Sequence, residues 1–336
     1  VQRRSAVVTA GVLAAGLVLG GGATAGAVTT EAYIGPGPHA VSRVADAGQR
    51  ATTIGVDGVT LRDDGKALAA APDGLARLAR TAHAAGARSE LLVSNFSETL
   101  GDFSPETGTA LLADATNRDR VARALARTAQ RDGFDGVQID LESLREQDRP
   151  GLVAFIDAVR AAVRERLGPS ARTSIAVMAS TDRAGYRDTG YDLREIARRV
   201  DRVVLMTYDQ HGPWSGPGTI GALPWTRQVV RAAQSAGVPR GHIDLGVAGY
   251  GYVWGPGAVD RSLTVAHAAR LAGDRARWSA RNGEWSATLA DGRELHWSDA
   301  RSYRVRQDLA RKLSLHGVAM WSLDSMPLPK DRPRNR

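Results

Sequence analysis

The chain has no cysteine, which excludes disulfides, thiolate catalysis, iron–sulfur clusters and Cys-ligated zinc. Lysine is almost absent. All but three of the 44 basic residues are arginine, the exceptions being Lys66, Lys312 and Lys330. No lysine- and arginine-rich block interleaved with aromatics occurs, so the formal charge of +8 points to no nucleic-acid partner. Aromatics make up only 5% of the sequence, and all seven tryptophans lie from Trp214 onward. The seven histidines show no metal-ligand spacing, no cofactor motif stands out, and His211 and His316 read as structural or solvated.

Charge is also missing from Ala6 to Val28, an apolar run of small residues that follows Arg3 and Arg4. Ala23-Thr-Ala25 and Ala25-Gly-Ala27 fit a small-residue cleavage rule. Residues 1–27 are therefore predicted to be a secretory signal, or a membrane anchor if uncleaved, with the remaining chain working outside the cytoplasm. The glycines at 20, 21, 22 and 26 lack the strand that a dinucleotide-binding loop requires. A basic tail covers 330–336. Without Arg3, Arg4 and that tail (four basic residues and Asp331), the charge falls from +8 to +3, a mild bias compatible with association with an anionic cell wall.

Residues 28–329 alternate short β-rich runs with amphipathic Ala/Arg-rich stretches. The pattern predicts strands at Ala32–Gly35, Thr53–Thr60, Ser89–Asn95, Gly136–Glu142, Ser174–Ala179, Val203–Tyr208, His242–Tyr252 and Gly317–Leu323. Helical patterns such as Asp73–Ala85, Asp119–Arg131, Leu152–Leu167 and Leu193–Arg199 lie between them. Eight strands with intervening helices imply an α/β fold, a closed (β/α)8 TIM barrel. The long gap between strands seven and eight holds Trp278, Trp285, Asp291-Gly292 and Trp297, and predicts a small inserted α+β subdomain at about 255–300. A last helix follows around Tyr303–Leu313.

In such barrels the reactive side chains come from the C-terminal strand ends. The fourth strand places Gln138, Asp140 and Glu142 on one face and Val137, Ile139 and Leu141 on the other. The polar face must then look into the barrel. Two carboxyl groups there are expensive unless they are used, and their repulsion favours keeping one protonated as a general acid. The alternative is a buried ion-pair ladder to an inward arginine.

Asp135-Gly-x-x-x-Asp140-x-Glu142 resembles the D-G-x-D-x-D-x-E signature of glycoside hydrolase family 18, the chitinase-like barrels. Met206-Thr-Tyr208-Asp209 is similar to the family's M-x-Y-D, and Gly317-Val-Ala-Met-Trp321-Ser-Leu to its last-strand G-x-x-x-W-S/T-L. Trp297 to Ser302 resembles a segment before the last helix. The resemblance implies that Glu142 protonates the glycosidic oxygen while the substrate's own 2-acetamido oxygen attacks, giving an oxazolinium intermediate. Asp140 would orient the acetamido group, Tyr208 would bond its oxygen, Asp209 would shape the same subsite and Trp321 would floor it. Asn95, Met206 and Tyr250, at strand ends, and Gln138 on the fourth strand are expected substrate contacts, Asn95 with turn capping as its alternative; Asp135 is an expected support behind the site. The family's middle aspartate is Gln138 here, a change expected to alter pH dependence. Bacterial spore-cortex and peptidoglycan-lytic N-acetylglucosaminidases often carry an amide at that position, and Val93–Ser97 also resembles that subset. The implied partner is a polysaccharide, peptidoglycan before chitin. A non-catalytic chitinase-like binding protein is the rival, and Glu142 argues against it because such relatives usually lose the acid. Trp214, Trp225 and Trp254 could stack on sugars or pack between loops.

Overall fold

The computed structural model describes residues 28–330 apart from 259 and 260, so the expected signal at 1–27 and the basic tail beyond Lys330 lie outside the described residues. Eight parallel strands close into a barrel: Thr29–Ile34, Thr53–Thr60, Arg88–Ser94, Gly136–Asp140, Arg172–Met178, Arg202–Met206, Ile243–Ala248 and Gly317–Trp321. The last strand pairs with the first from Thr29↔Gly317 to Ala32↔Met320, which seals the sheet.

Strand alternation separates two kinds of packing. Outward residues such as Ile34, Val56, Leu91, Val93, Ile139 and Val177 join the surrounding helices in one large apolar core. Inward residues form a second, smaller cluster of Tyr33, Leu92, Ala176, Val204, Met206 and Ala319. The helices owe their positions to local chemistry. Ala115–Asp132 starts where the Asp114 carboxylate accepts the Asn117 N–H at 2.8 Å, and ends at Gly133 in the left-handed region at φ 80°. Its buried face is Val121, Ala122, Leu125, Ala126 and Ala129, spaced at three and four.

Below the inward apolar cluster lies an ionic layer. Arg202 contacts Glu31 at 2.9 Å, Glu90 at 2.7 Å and Asp244 at 2.8 Å, all four side chains being buried. An inward arginine with carboxylate partners therefore exists, but its partners come from strands one, three and seven, not from Asp140 or Glu142.

The expected insertion is present and begins earlier than residue 255. Strand seven ends at Ala248, and after Gly249 the chain leaves the barrel to start a five-stranded antiparallel sheet. Its strand order is Ser262–Thr264, Tyr250–Trp254, Glu294–Trp297, Glu284–Thr288, Arg277–Ser279. The single run expected over His242–Tyr252 is thus two strands. Helix Val265–Ala272 covers the sheet over Val253, Leu263, Leu295 and Trp297. Among the described residues no helix is long and apolar enough to cross a membrane.

Candidate active site

The C-terminal strand ends open into a cavity of about 400 Å³ lined by Asp140, Glu142, Met206, Tyr208, Asp209 and Trp321, with Trp214 and Trp225 at its edge. Sequence reasoning named every one of these. An adjoining cavity of about 520 Å³ shares Phe103, Asp140 and Trp321 and adds Asp57 and Glu98. Neither set of lining residues contains a lysine, arginine or histidine.

Asp140 closes the fourth strand, is 6% exposed, and its Oδ1 has no hydrogen-bond partner. Burial, and then the charge of Asp57, push its carboxyl up to about 7. Glu142 stands in the loop two residues further on. Burial first, then Asp140, Asp209 and Asp102, raise its carboxyl well above the usual range. Without a cation among the lining residues, nothing there offsets these effects, and both carboxyls are biased towards their protonated forms. That is the state a general acid needs.

Asp209 follows strand six in a left-handed conformation, φ 59°, which aspartate tolerates better than most residues. Its Oδ1 accepts the hydroxyls of Tyr250 at 2.6 Å and Tyr252 at 3.0 Å. Burial raises its carboxyl, and those two hydrogen bonds act in the opposite direction. Tyr208 has room to stand upright because residue 246 is glycine: a Cβ there would come within 2.9 Å of the tyrosine ring and 2.5 Å of the Leu205 carbonyl. Trp321 rests on the Tyr33 ring, centroids 5.3 Å apart. The loop carrying Trp214 is anchored by the insert. Glu284 accepts the N–H groups of Ile220 and Gly221 at 2.9 and 2.7 Å, and pairs with buried Arg306 at 2.7 Å.

Four expected site residues have other duties. Asn95 is fully buried; its amide bonds the backbone of Glu142 and Ser104, and no part of it reaches the cleft. Tyr250 does not line the cavity, and its hydroxyl holds Asp209 from behind. Asp135 lies at the opposite end of the barrel, where it accepts the Ser89 N–H at 2.8 Å and pairs with His83 at 2.8 Å. Gln138, also fully buried, turns its amide away from Asp140: Oε1 accepts the Tyr33 hydroxyl at 2.7 Å and Nε2 donates to Ser174 Oγ at 3.0 Å.

The tryptophans divide. Trp214, 67% exposed, and Trp225 face the cavity, whereas Trp254 is buried with its Nε1 donating to the Gly212 and Ser215 carbonyls. Trp278, Trp285 and Trp297 pack on one another inside the insert, with Arg301 4.1 Å over Trp278. His211 meets the Thr219 carbonyl and His316 meets Asp244, structural placements in both cases. Asp102 and Phe103 were missed by the sequence reading. They reach the cavity on the two-stranded hairpin Phe96–Ser97/Asp102–Phe103, too short to leave a periodic signal. Asp57 was missed too, because it sits where the second strand shifts register, between Asp57 and Val59.

The sequence model for glycosyl hydrolases family 18 matches residues 94–325. The cortical fragment-lytic enzyme of Bacillus subtilis (strain 168) is 30% identical over 234 residues, 66% of this chain and 54% of that protein. The uncharacterized glycosylase YvbX of the same organism is 26% identical over 165 residues, 48% of this chain and 47% of that one. The chain thus spans about half the length of these curated relatives. Among solved structures, the spore cortex-lytic enzyme SleL of Bacillus cereus superposes with a TM-score of 0.77 at 22% identity, covering 90% of this chain and 72% of that one. A chitinase from Chromobacterium violaceum ATCC 12472 gives 0.75 at 22% identity, covering 89% and 95%. A family match running from the end of the third barrel strand past the eighth, on a barrel of this shape, makes the chain a member of glycosyl hydrolases family 18.

Proposed function

We propose that this domain is a secreted N-acetylglucosaminidase that cleaves β-1,4 bonds of N-acetylglucosamine-containing polymers with retention of configuration, and that its substrate is peptidoglycan. The observation that carries the reading is Glu142, Asp140 and Tyr208 facing one cavity, with an Asp140 oxygen left without a partner. Glu142 begins protonated and gives its proton to the glycosidic oxygen as the C1–O bond breaks. The acetamido carbonyl oxygen of the same sugar bonds to C1, and the resulting oxazolinium carries the positive charge. Asp140 accepts the acetamido N–H on its free oxygen, and Tyr208 donates to the acetamido group. Water then opens the ring, giving its proton to the Glu142 carboxylate and restoring the acid. No protein nucleophile is needed, unlike the two-carboxylate scheme of most glycosidases.

The relatives' names favour peptidoglycan, and the amide at Gln138 agrees with that subset. The lining adds a restriction. With carboxyl groups and no cation, the cleft suits sugars without a free carboxylate, so muramic residues whose lactyl group is tied up in an amide fit better than free muramic acid. Exposed Trp214 favours chitin as the second reading, since sugar rings stack on such a face. Purified peptidoglycan and chitin oligomers incubated side by side decide between them. New N-acetylglucosamine reducing ends from peptidoglycan are expected; release from chitin alone would transfer the assignment, and release from neither would end it. Secretion is supported by Arg3, Arg4 and the uncharged run after them, and is tested by the N-terminal mass of protein recovered outside expressing cells.

A further inference from the structure

Glu142 lies beyond the end of its strand, so the barrel ladder that fixes Asp140 no longer fixes it. Its backbone groups must find partners elsewhere. Asn95 supplies them: Oδ1 accepts the Glu142 N–H at 2.9 Å, and Nδ2 donates to the Glu142 carbonyl at 2.9 Å. One residue earlier, the Tyr191 hydroxyl donates to the Leu141 carbonyl at 2.8 Å. One residue later, Ser143 turns into the left-handed region at φ 56°. Three consecutive backbone groups of the acid loop therefore rest on two buried side chains.

From its buried position Asn95 also holds the segment that follows the neighbouring hairpin. Nδ2 donates to the Ser104 carbonyl at 2.9 Å, and the Asn95 carbonyl accepts the Ser104 N–H at 3.0 Å. Ser104 closes the hairpin that brings Asp102 and Phe103 to the cavity and caps the helix Pro105–Ala113. One amide thus spans the acid loop and this hairpin.

We propose that Asn95 and Tyr191 are positioning residues of the glycosidic reaction, a clamp that holds the Glu142 carboxyl on the leaving-group oxygen. The inference rests on the reading of Glu142 as the general acid. A displacement of about 1 Å at a proton donor can cost about 10²-fold in rate while leaving substrate affinity intact. Such a loss should appear only where protonation of the leaving group matters.

The test compares two leaving groups in the full chain. An unsubstituted N-acetylglucosamine oligomer leaves as a sugar alkoxide and needs the acid; a nitrophenyl glycoside of the same sugars leaves readily without it. For Asn95→Ala the oligomer kcat is expected to fall about 10²-fold with KM within about threefold, while the nitrophenyl kcat falls less than about fivefold. Tyr191→Phe, which removes one hydroxyl and keeps the packing, should give the same asymmetry at about 10-fold. Equal losses on both substrates, or no loss on the oligomer in either variant, would overturn the clamp. If Asn95→Ala does not fold, Tyr191→Phe alone decides. A wild-type chain inactive on both substrates would remove the functional reading and the clamp with it, an outcome distinct from an active wild type with symmetric losses.

Discussion

The role proposed for Asp140 ties catalysis to stability, and Asp140→Asn exposes the connection. The carboxyl is 6% exposed, has one oxygen without a partner, and is pushed from 3.8 to about 7 by burial and then by Asp57. The folded state therefore keeps a proton that the unfolded chain releases near pH 4. This stabilising contribution is fully present below the unfolded value and is lost as pH rises through about 7. At about 1.4 kcal/mol per pH unit, the loss reaches about 4 kcal/mol by pH 8. Asparagine does not titrate, so the variant should become more stable relative to wild type as pH rises, by about 2–4 kcal/mol between pH 4 and pH 8. Urea unfolding followed by tryptophan fluorescence at five pH values measures this directly. The two midpoints should diverge with pH, and the variant should have lost nearly all hydrolysis. Midpoints that run parallel from pH 4 to pH 8 would refute the reading of Asp140 as a buried carboxyl that holds a proton in the folded state.

Glu142→Gln should lower release of reducing ends by about 10³-fold or more while the chain still folds cooperatively, and undiminished release would remove Glu142 as the acid. Arg202→Met strands Glu31, Glu90 and Asp244 in the barrel interior and should cost about 3–5 kcal/mol in urea unfolding, or yield no folded protein. A wild-type midpoint there would mean that the three carboxyls do not depend on the arginine. Gln138→Asp should shift the pH–rate profile and lower stability above pH 7, because it adds a titrating group beside Tyr33 and Ser174 in place of a neutral amide. An unchanged profile would show that position 138 does not couple to Asp140.

The barrel was legible in the sequence because its strands obey a period of two against helices obeying 3.6, and each strand fell within a few residues of its place. The candidate carboxyl on the fourth strand was legible for the same reason, since alternation put Gln138 and Asp140 inside. What alternation gives is direction. It does not give depth or partners, and so Asn95 and Tyr250 looked like sugar contacts although each stops one layer short of the cleft. The lower ionic layer was hidden for a related reason: Glu31 and Arg202 are 171 residues apart, and a lone inward charge on a strand does not name its counterpart. Strand seven ran together with the insert because Ile243–Trp254 is one apolar, β-rich run, and only Gly249 marks where the chain changes sheets.

The two charged layers of the barrel interior are built on opposite terms. In the lower one, Arg202 lies among three carboxyls and offsets part of their charge, while burial still drives Glu31 up to about 7. In the upper one, Asp140, Glu142 and Asp209 share a cavity with no cation lining it, so burial raises all three. Between them the Gln138 amide joins Tyr33 to Ser174, and Ser174 Oγ donates onward to Glu90 at 2.5 Å. A neutral amide at that height lets hydrogen bonds run from the middle of the barrel to its ionic base without adding a second acid to the fourth strand. Gln138 is therefore coherent with its surroundings: the arginine serves the fold below, and the absence of a cation serves the proton above.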